Sequence, residues 1–236
     1  MSLPKQNDPA EAAKRAAAQW AASQIEDGMK VGLGSGSTSA LVIAEVGRRV
    51  AEGMKITAIA TSLRSQEQAE SLKIPMSNFG DTPRLDVTID GADEVQEGTL
   101  HLIKGHGGAL LREKIVAMAS DKLLIAVDPS KLVKTLGSVF QLPVEIVPFG
   151  WETTYKRLSD LGFAPEMRMK EDGTPYITDG QHYIFHCALP SERTTEGNAE
   201  ALKHTVGVVE HGLFLGMANR VVIGSPDGIQ VLEANR

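Results

Sequence analysis

The sequence has a single cysteine, Cys187, so no disulfide can close within the chain and no thiolate cluster can hold a metal. No unbroken apolar stretch approaches the length that crosses a bilayer. Residues 1–15 lack the apolar core of a secretory signal, which points to the cytoplasm. Positive charge is in deficit, with 24 Lys and Arg against 30 Asp and Glu and a net charge of −6. That argues against sequence-independent binding to nucleic acid, which needs cations to displace counterions, yet leaves room for a local phosphate site. Internal repeats and low-complexity tracts are missing too. So are the nucleotide loops: a dinucleotide fingerprint or a Walker loop starting at Gly32 needs glycine at position 37, where Ser37 stands, and the Walker loop then needs lysine in place of Thr38.

What remains is an ordinary globular composition, 42% hydrophobic and 23% charged over 236 residues, enough for a main domain with a smaller one attached. The chain is organised around residues 85–116. Leu85, Val87 and Ile89 alternate with Asp86, Thr88 and Asp90 and run into Gly91, the pattern of a strand entering a turn. A second apolar run, residues 100–103, ends in Lys104 and then Gly105, His106, Gly107 and Gly108. Residues 109–119 contain helix formers and neither proline nor glycine, so a helix is expected there. Asp90, Asp93, Lys104 and Glu113 can therefore converge where two strands end and a helix begins, the place where open α/β sheets bind ligands.

Earlier in the chain, Asp8 and Pro9 read as the start of an Ala-rich helix through Ile25. Lys14 and Arg15 lie on it, and their plainest reading is a solvated face. A short strand at 29–33 leads into Gly34, Ser35, Gly36, Ser37 and Thr38 and then a helix from Ser39 to Val50. Strand, Gly/Ser loop and helix N-terminus together make a small-phosphate cradle, or else a tight turn that binds nothing. Strands are also expected at 55–60, 73–77 and 122–127, the last ending in Asp128, Pro129, Ser130 and Lys131. Strands alternating with helices at this spacing predict an α/β fold with a doubly wound, mainly parallel sheet.

The pattern changes near Pro143. A β-α-β-β-α order follows, with a turn at Asp172-Gly173, which is the beginning of a ferredoxin-like unit. The expected division is a main domain of residues 1–137 plus 209–236 and a small α+β domain of residues 138–208. Residues 209–216 and 221–223 are read as pieces returning to the main sheet.

Of the candidate chemistries, the cluster Asp86, Asp90, Asp93 and Glu94 suits a divalent cation, but Lys104 would compete for the same carboxylates. The histidines 101, 106, 182 and 186 read as ordinary surface or core residues rather than zinc ligands. Cys187 and His186 are adjacent on a strand and point to opposite faces, so they form no thiol dyad. Glu113 read alone is a helix carboxylate paired with Arg112 or Lys114. Set beside two aspartates and a lysine, with no metal or nucleophile motif, it suits proton transfer next to a carbonyl. The glutamate takes a carbon-bound proton, the lysine meets the oxyanion, and an aspartate serves hydroxyl protons.

Six segments in order carry a resemblance: GLGSGST at 32–38, DGADE at 90–94, KGHGGALLRE at 104–113, DPSK at 128–131, LPVE at 142–145 and GSPDG at 224–228. The chain resembles ribose-5-phosphate isomerases of type A over nearly its whole length. The resemblance implies a cofactor-free interconversion of ribose 5-phosphate and ribulose 5-phosphate through an enediolate, in the non-oxidative pentose phosphate pathway, and with the lysine in the electrophilic role no metal is expected. It also implies a homodimer or higher homo-oligomer with no nucleic-acid or membrane partner. By motif match Glu113 is the base, while Asp90, Asp93 and Lys104 assist ring opening and oxyanion stabilisation. The same match implies that Ser35, Gly36, Ser37, Thr38, Asp90, Gly91, Ala92, Asp93, Lys104, Gly105, His106, Gly107 and Lys131 contact substrate, with Lys14 reaching for the phosphate. One departure stands out: His106 interrupts a loop that the family usually makes of glycine, and histidine tolerates positive φ less well. Two rival readings are a non-catalytic sugar-phosphate sensor, which would need the phosphate loop but not Glu113, and a sugar-phosphate deaminase or lactonase on a related scaffold.

Overall fold

A computed structural model describes residues 9–234. Asp8, expected as a helix cap, lies outside the described residues. In chain order the elements are α1 (Pro9–Ser23), β1 (Lys30–Leu33), α2 (Ser37–Ala51), β2 (Thr57–Ala60), α3 (Leu63–Ser71) and β3 (Val87–Asp90). Then come β4 (Glu94–Gln96), β5 (Leu102–Ile103), α4 (Leu110–Met118), β6 (Leu123–Val127) and, after a 3-10 turn at Pro129–Lys131, β7 (Leu132–Val133). They are followed by β8 (Leu142–Ile146), α5 (Trp151–Asp160), β9 (Glu166–Met167), β10 (Tyr183–Cys187) and α6 (Thr195–Lys203). The last strands are β11 (Val208–His211), β12 (Leu213–Phe214), β13 (Arg220–Ser225) and β14 (Gly228–Glu233).

The chain forms two compact units. Among the described residues the first comprises 9–92, 115–131 and 217–234, and the second Asp93–Lys114 and Leu132–Gly216. The second unit is thus larger than the expected 138–208, because β4 and β5 pair with β7 and β12 rather than joining the main sheet. Residues 209–216 also stay in the second unit, where β11 pairs with β8. Only β13 and β14 return to the main sheet.

That main sheet has the order β14-β13-β6-β3-β1-β2 and is parallel except at its β13–β14 hairpin edge. Every residue of β3 and β6 is buried, as expected of strands covered on both faces. One face packs Val31, Leu33, Val87 and Ile89 against Val42, Ile43 and Val46 of α2 and the alanines of α1. Those alanines let the helix come close: a Cβ on Gly224 of β13 would lie 2.0 Å from the carbonyl oxygen of Ala13. The opposite face carries Thr88, against which Val116 also packs, and a Cβ on Gly32 would collide with both. The doubly wound sheet follows from these two coverings.

The second unit contains a four-stranded antiparallel sheet of order β11-β8-β10-β9, with α5 after β8 and α6 after β10. This is the ferredoxin-like order. Leu142, Val144, Ile146, Phe185 and Cys187 point to one face and share a core with Leu158, Phe163 and Leu202. His186 points the other way, toward the ring of His106 at 4.9 Å. A third sheet of two- and three-residue strands, β12-β5-β4-β7, completes the unit. It is held by Glu94, whose fully buried carboxylate accepts the backbone N–H groups of Gly137, Val139 and Phe140 at 2.6 to 2.8 Å. No described helix is long and apolar enough to cross a membrane.

Candidate active site

In the first unit the loop after β1 is shaped by Asp90 at the end of β3. Asp90 is 1% exposed, and its Oδ1 accepts the N–H groups of Ser35 and Gly91 and the hydroxyl of Ser39 at 2.8 to 3.1 Å. Gly34 must be glycine, because a Cβ there would sit 2.1 Å from that same oxygen. Gly36 then turns the chain at φ 100° and caps α2. Such a left-handed turn costs glycine little and other residues more. Helix geometry leaves the N–H groups of the first turn, from Ser37 onward, without intrahelical acceptors. Gly36 and Ser37 are exposed and Thr38 is half-buried, so this end of α2 meets solvent with its positive pole.

The Ser35 hydroxyl turns inward instead. It lies 2.7 to 3.3 Å from the hydroxyls of Thr61, Ser62 and Ser65, and Ser65 in turn donates to the Gly34 carbonyl. Sequence reasoning missed these three residues. A hydroxyl cluster contributed by a neighbouring strand end and the cap of α3 leaves no local pattern. Of the remaining predicted residues, Gly91 and Ala92 follow Asp90 in the turn. Lys131 ends the 3-10 turn, and Lys14 lies half-buried on α1.

In the second unit, Lys104 and Glu113 come together. Lys104 follows β5 and Glu113 lies in the first turn of α4; they are 2% and 4% exposed, with Nζ 3.3 Å from Oε1. The backbone of Lys104 is fixed by a bond from its N–H to the Gly212 carbonyl, and its Nζ lies 5.5 Å from the centre of the Phe214 ring. Gly212 has no room for a side chain, since a Cβ would be 2.1 Å from the Lys104 carbonyl oxygen. Asp93 is half-buried; its N–H bonds Ile103, and its Oδ2 accepts the His106 N–H at 3.0 Å.

The glycine loop takes its left-handed turns at Gly105 (φ 109°) and Gly108 (φ 86°), not at His106. The histidine therefore fits without backbone strain. It is pinned at three points: its N–H on Asp93, its carbonyl accepting from Arg168 at 2.8 Å, and its Nε2 against the Gln141 carbonyl at 2.7 Å. Arg168 stacks on the Tyr176 ring 4.0 Å away. The His186 ring beside His106 is pushed down to about 4, chiefly by burial and further by the charges of His106 and Arg168, against the pull of Asp93. Its Nε2 has no hydrogen-bond partner among the described residues. Asp90 and Asp93, paired in the sequence motif, belong to different units.

Residues 57–228 match the sequence model of the family described as Ribose 5-phosphate isomerase A (phosphoriboisomerase A). The chain is 49% identical over 221 residues to a ribose-5-phosphate isomerase A of Synechococcus sp. (strain JA-3-3Ab), covering 93% of this chain and 96% of that one. Its structure is similar to that of ribose 5-phosphate isomerase A from Methanocaldococcus jannaschii, with a TM-score of 0.88, 36% identity, and 93% and 97% of the two chains covered. A D-ribose-5-phosphate isomerase in complex with phospho-erythronic acid gives a TM-score of 0.89 at 34% identity, with the same coverage. Sequence and structure thus align with the same group of enzymes over nearly the full length of each chain, and the chain belongs to the ribose 5-phosphate isomerase A family.

Proposed function

We propose that this protein, an isomerase interconverting ribose 5-phosphate and ribulose 5-phosphate, uses Glu113 as the base that carries a proton between C2 and C1. The observation that carries the assignment is the Lys104–Glu113 pair, 3.3 Å apart and almost wholly out of water. A pair buried this deeply is weak as a source of stability, because desolvation offsets its attraction. Joined at a carbonyl substrate, the same pair is a base beside an electrophile. Glu113 removes the C2 proton of the open-chain aldose, and the C2–H electrons become the C1–C2 double bond of an enediolate. The carbonyl electrons move onto O1, where the Lys104 ammonium meets the negative charge. Return of that proton to C1, with the O2 proton passing to O1, gives the ketose. Asp93 serves hydroxyl protons, and Asp90 assists ring opening while organising the loop at 34–39.

The phosphate falls to the N-terminus of α2, with Ser37 and Thr38 adding hydroxyls and Lys131 and Lys14 adding charge. Phospho-erythronic acid, bound by the similar isomerase, joins a phosphate to a planar carboxylate like the two oxygens of an enediolate. It should compete with substrate here as well. We place the enzyme in the cytoplasm as a homodimer or higher homo-oligomer, which light scattering across a concentration series checks; a monomer at all concentrations would refute it.

The test is Glu113→Gln, which keeps the shape and removes the base. General-base catalysis is worth roughly 10²–10⁴-fold, so turnover should fall by at least that order, and exchange of the C2 hydrogen with solvent should vanish with it. A variant isomerising within about tenfold of the parent would move the base to Asp90 or Asp93.

A further inference from the structure

The residues on either side of Glu113 are both basic, and by sequence they are its nearest partners. The fold gives them others. Arg112 Nη1 is 3.3 Å from Asp179 Oδ2, in the segment before β10. Lys114 Nζ is 2.8 Å from Glu210 Oε1 on β11 and 2.6 Å from the His211 carbonyl oxygen. The same ammonium lies 4.8 Å from the centre of the Phe214 ring, which Lys104 approaches at 5.5 Å. Consecutive helix residues point about 100° apart, so Arg112 and Lys114 leave the axis on opposite sides of Glu113. Each is tied to a different part of the second unit's sheet region. The early turns of α4 are therefore braced against rotation in both directions, and Glu113 is aimed by the pair.

We propose that Arg112–Asp179 and Lys114–Glu210 are positioning pairs that fix the rotation of α4 and hence the direction of the Glu113 carboxylate toward the reacting carbon. The proposal rests on Glu113 being the base. Burial lowers the ammonium of Lys114, while Glu210 acts to keep it charged. Glu210 is held below the ordinary carboxylate range, although burial alone would raise it, by Lys114 above all. The Lys114–Glu210 pair is 13% and 28% exposed at its two side chains and belongs to the class whose net worth to stability is small. Its geometric effect is not small, since a displacement near 1 Å at a reacting group costs about 10²-fold in rate.

The experiment replaces the ion pair by an apolar one, Lys114→Met with Glu210→Leu, and measures kcat, KM and the thermal midpoint. The result expected is kcat lower by ten- to a hundredfold, KM within about twofold, and a midpoint unchanged or raised. An unchanged kcat in the folded variant, or a raised KM with kcat intact, would overturn the proposal. The more exposed pair gives a second route should the first variant not fold. Arg112→Gln with Asp179→Asn should lower kcat severalfold and leave KM unmoved, and full activity there would count against the brace.

Introducing the Lys114→Met/Glu210→Leu change into Glu113→Gln should add little further loss, because a brace has nothing left to aim. Losses that multiply would show the pair acting independently of Glu113 and sink the proposal. Failure of the base assignment is read separately, from the Glu113→Gln single variant against the parent.

Discussion

Asp90 and Glu113 are both buried carboxylates, and their surroundings divide the work between them. Asp90 gives one oxygen to three donors, Gly91 beside it and Ser35 and Ser39 across from it, which makes it the organiser of the turn that ends at α2. Glu113 faces an ammonium across 3.3 Å. If that ammonium chiefly meets charge that develops during reaction, Lys104→Ala should lower kcat by about 10²–10³-fold and change KM much less. Steady-state kinetics with ribose 5-phosphate checks this; a raised KM with kcat preserved would make Lys104 a phosphate anchor. The pairing of Lys104 with Glu113 was legible because a lysine, a glycine loop and a helix glutamate lie within ten positions of one another. Ser62, Ser65 and Thr61 were not, since their bonds to Ser35 span 26 to 30 residues. The conformation at His106 was not legible for a related reason: a run of glycines does not say which of them turns left-handed, and here the turns fall on either side of the histidine.

At the scale of elements, the α2 N-terminus carries the most direct expectation. A phosphate held there would meet its pole and first-turn N–H groups in ground and transition states alike. Removing the hydroxyls of Ser37 and Thr38 should therefore weaken binding uniformly. The Ser37→Ala/Thr38→Ala variant should raise KM severalfold with kcat nearly intact, and a fall in kcat alone would count against a phosphate role for this helix end. The longer strands and helices were readable from periodicity, as in the alternation leading to Asp90 and the glycine- and proline-free run of α4. The third sheet was not, because alternation cannot be seen in strands of two or three residues. Its anchor, Glu94, read in the sequence as one more carboxylate of an acidic cluster, whereas the fold spends it on three backbone donors. The ferredoxin-like order was legible up to its last strand. Nothing local says that residues 208–211 pair with β8 rather than returning to the main sheet.

For the whole molecule, acid should act first on the second unit. His186 and His211 both lie there, and both are pushed down to about 4. Burial is the main cause for each, with the Lys114 ammonium adding to it at His211. In the unfolded chain they titrate near 6.5. Between those values the unfolded chain binds more protons than the folded one, so stability is full above about 6.5 and is lost as the pH falls toward about 4. The depressed Glu210 adds a loss of the same sign at the acid end. Thermal midpoints taken from pH 7.5 to 4.5 should decline through this window, and His211→Gln should flatten the decline. A midpoint level across the range would refute the expectation.

Cys187 turns the core of the second unit into a clock. Its side chain is fully buried, burial raises its thiol well above the ordinary range, and the chain has no other sulfhydryl to confuse the count. An alkylating reagent meets a reactive thiolate only in molecules whose ferredoxin-like sheet has parted. Labelling followed by mass spectrometry would therefore time the opening of that one unit in the intact enzyme without any engineered probe.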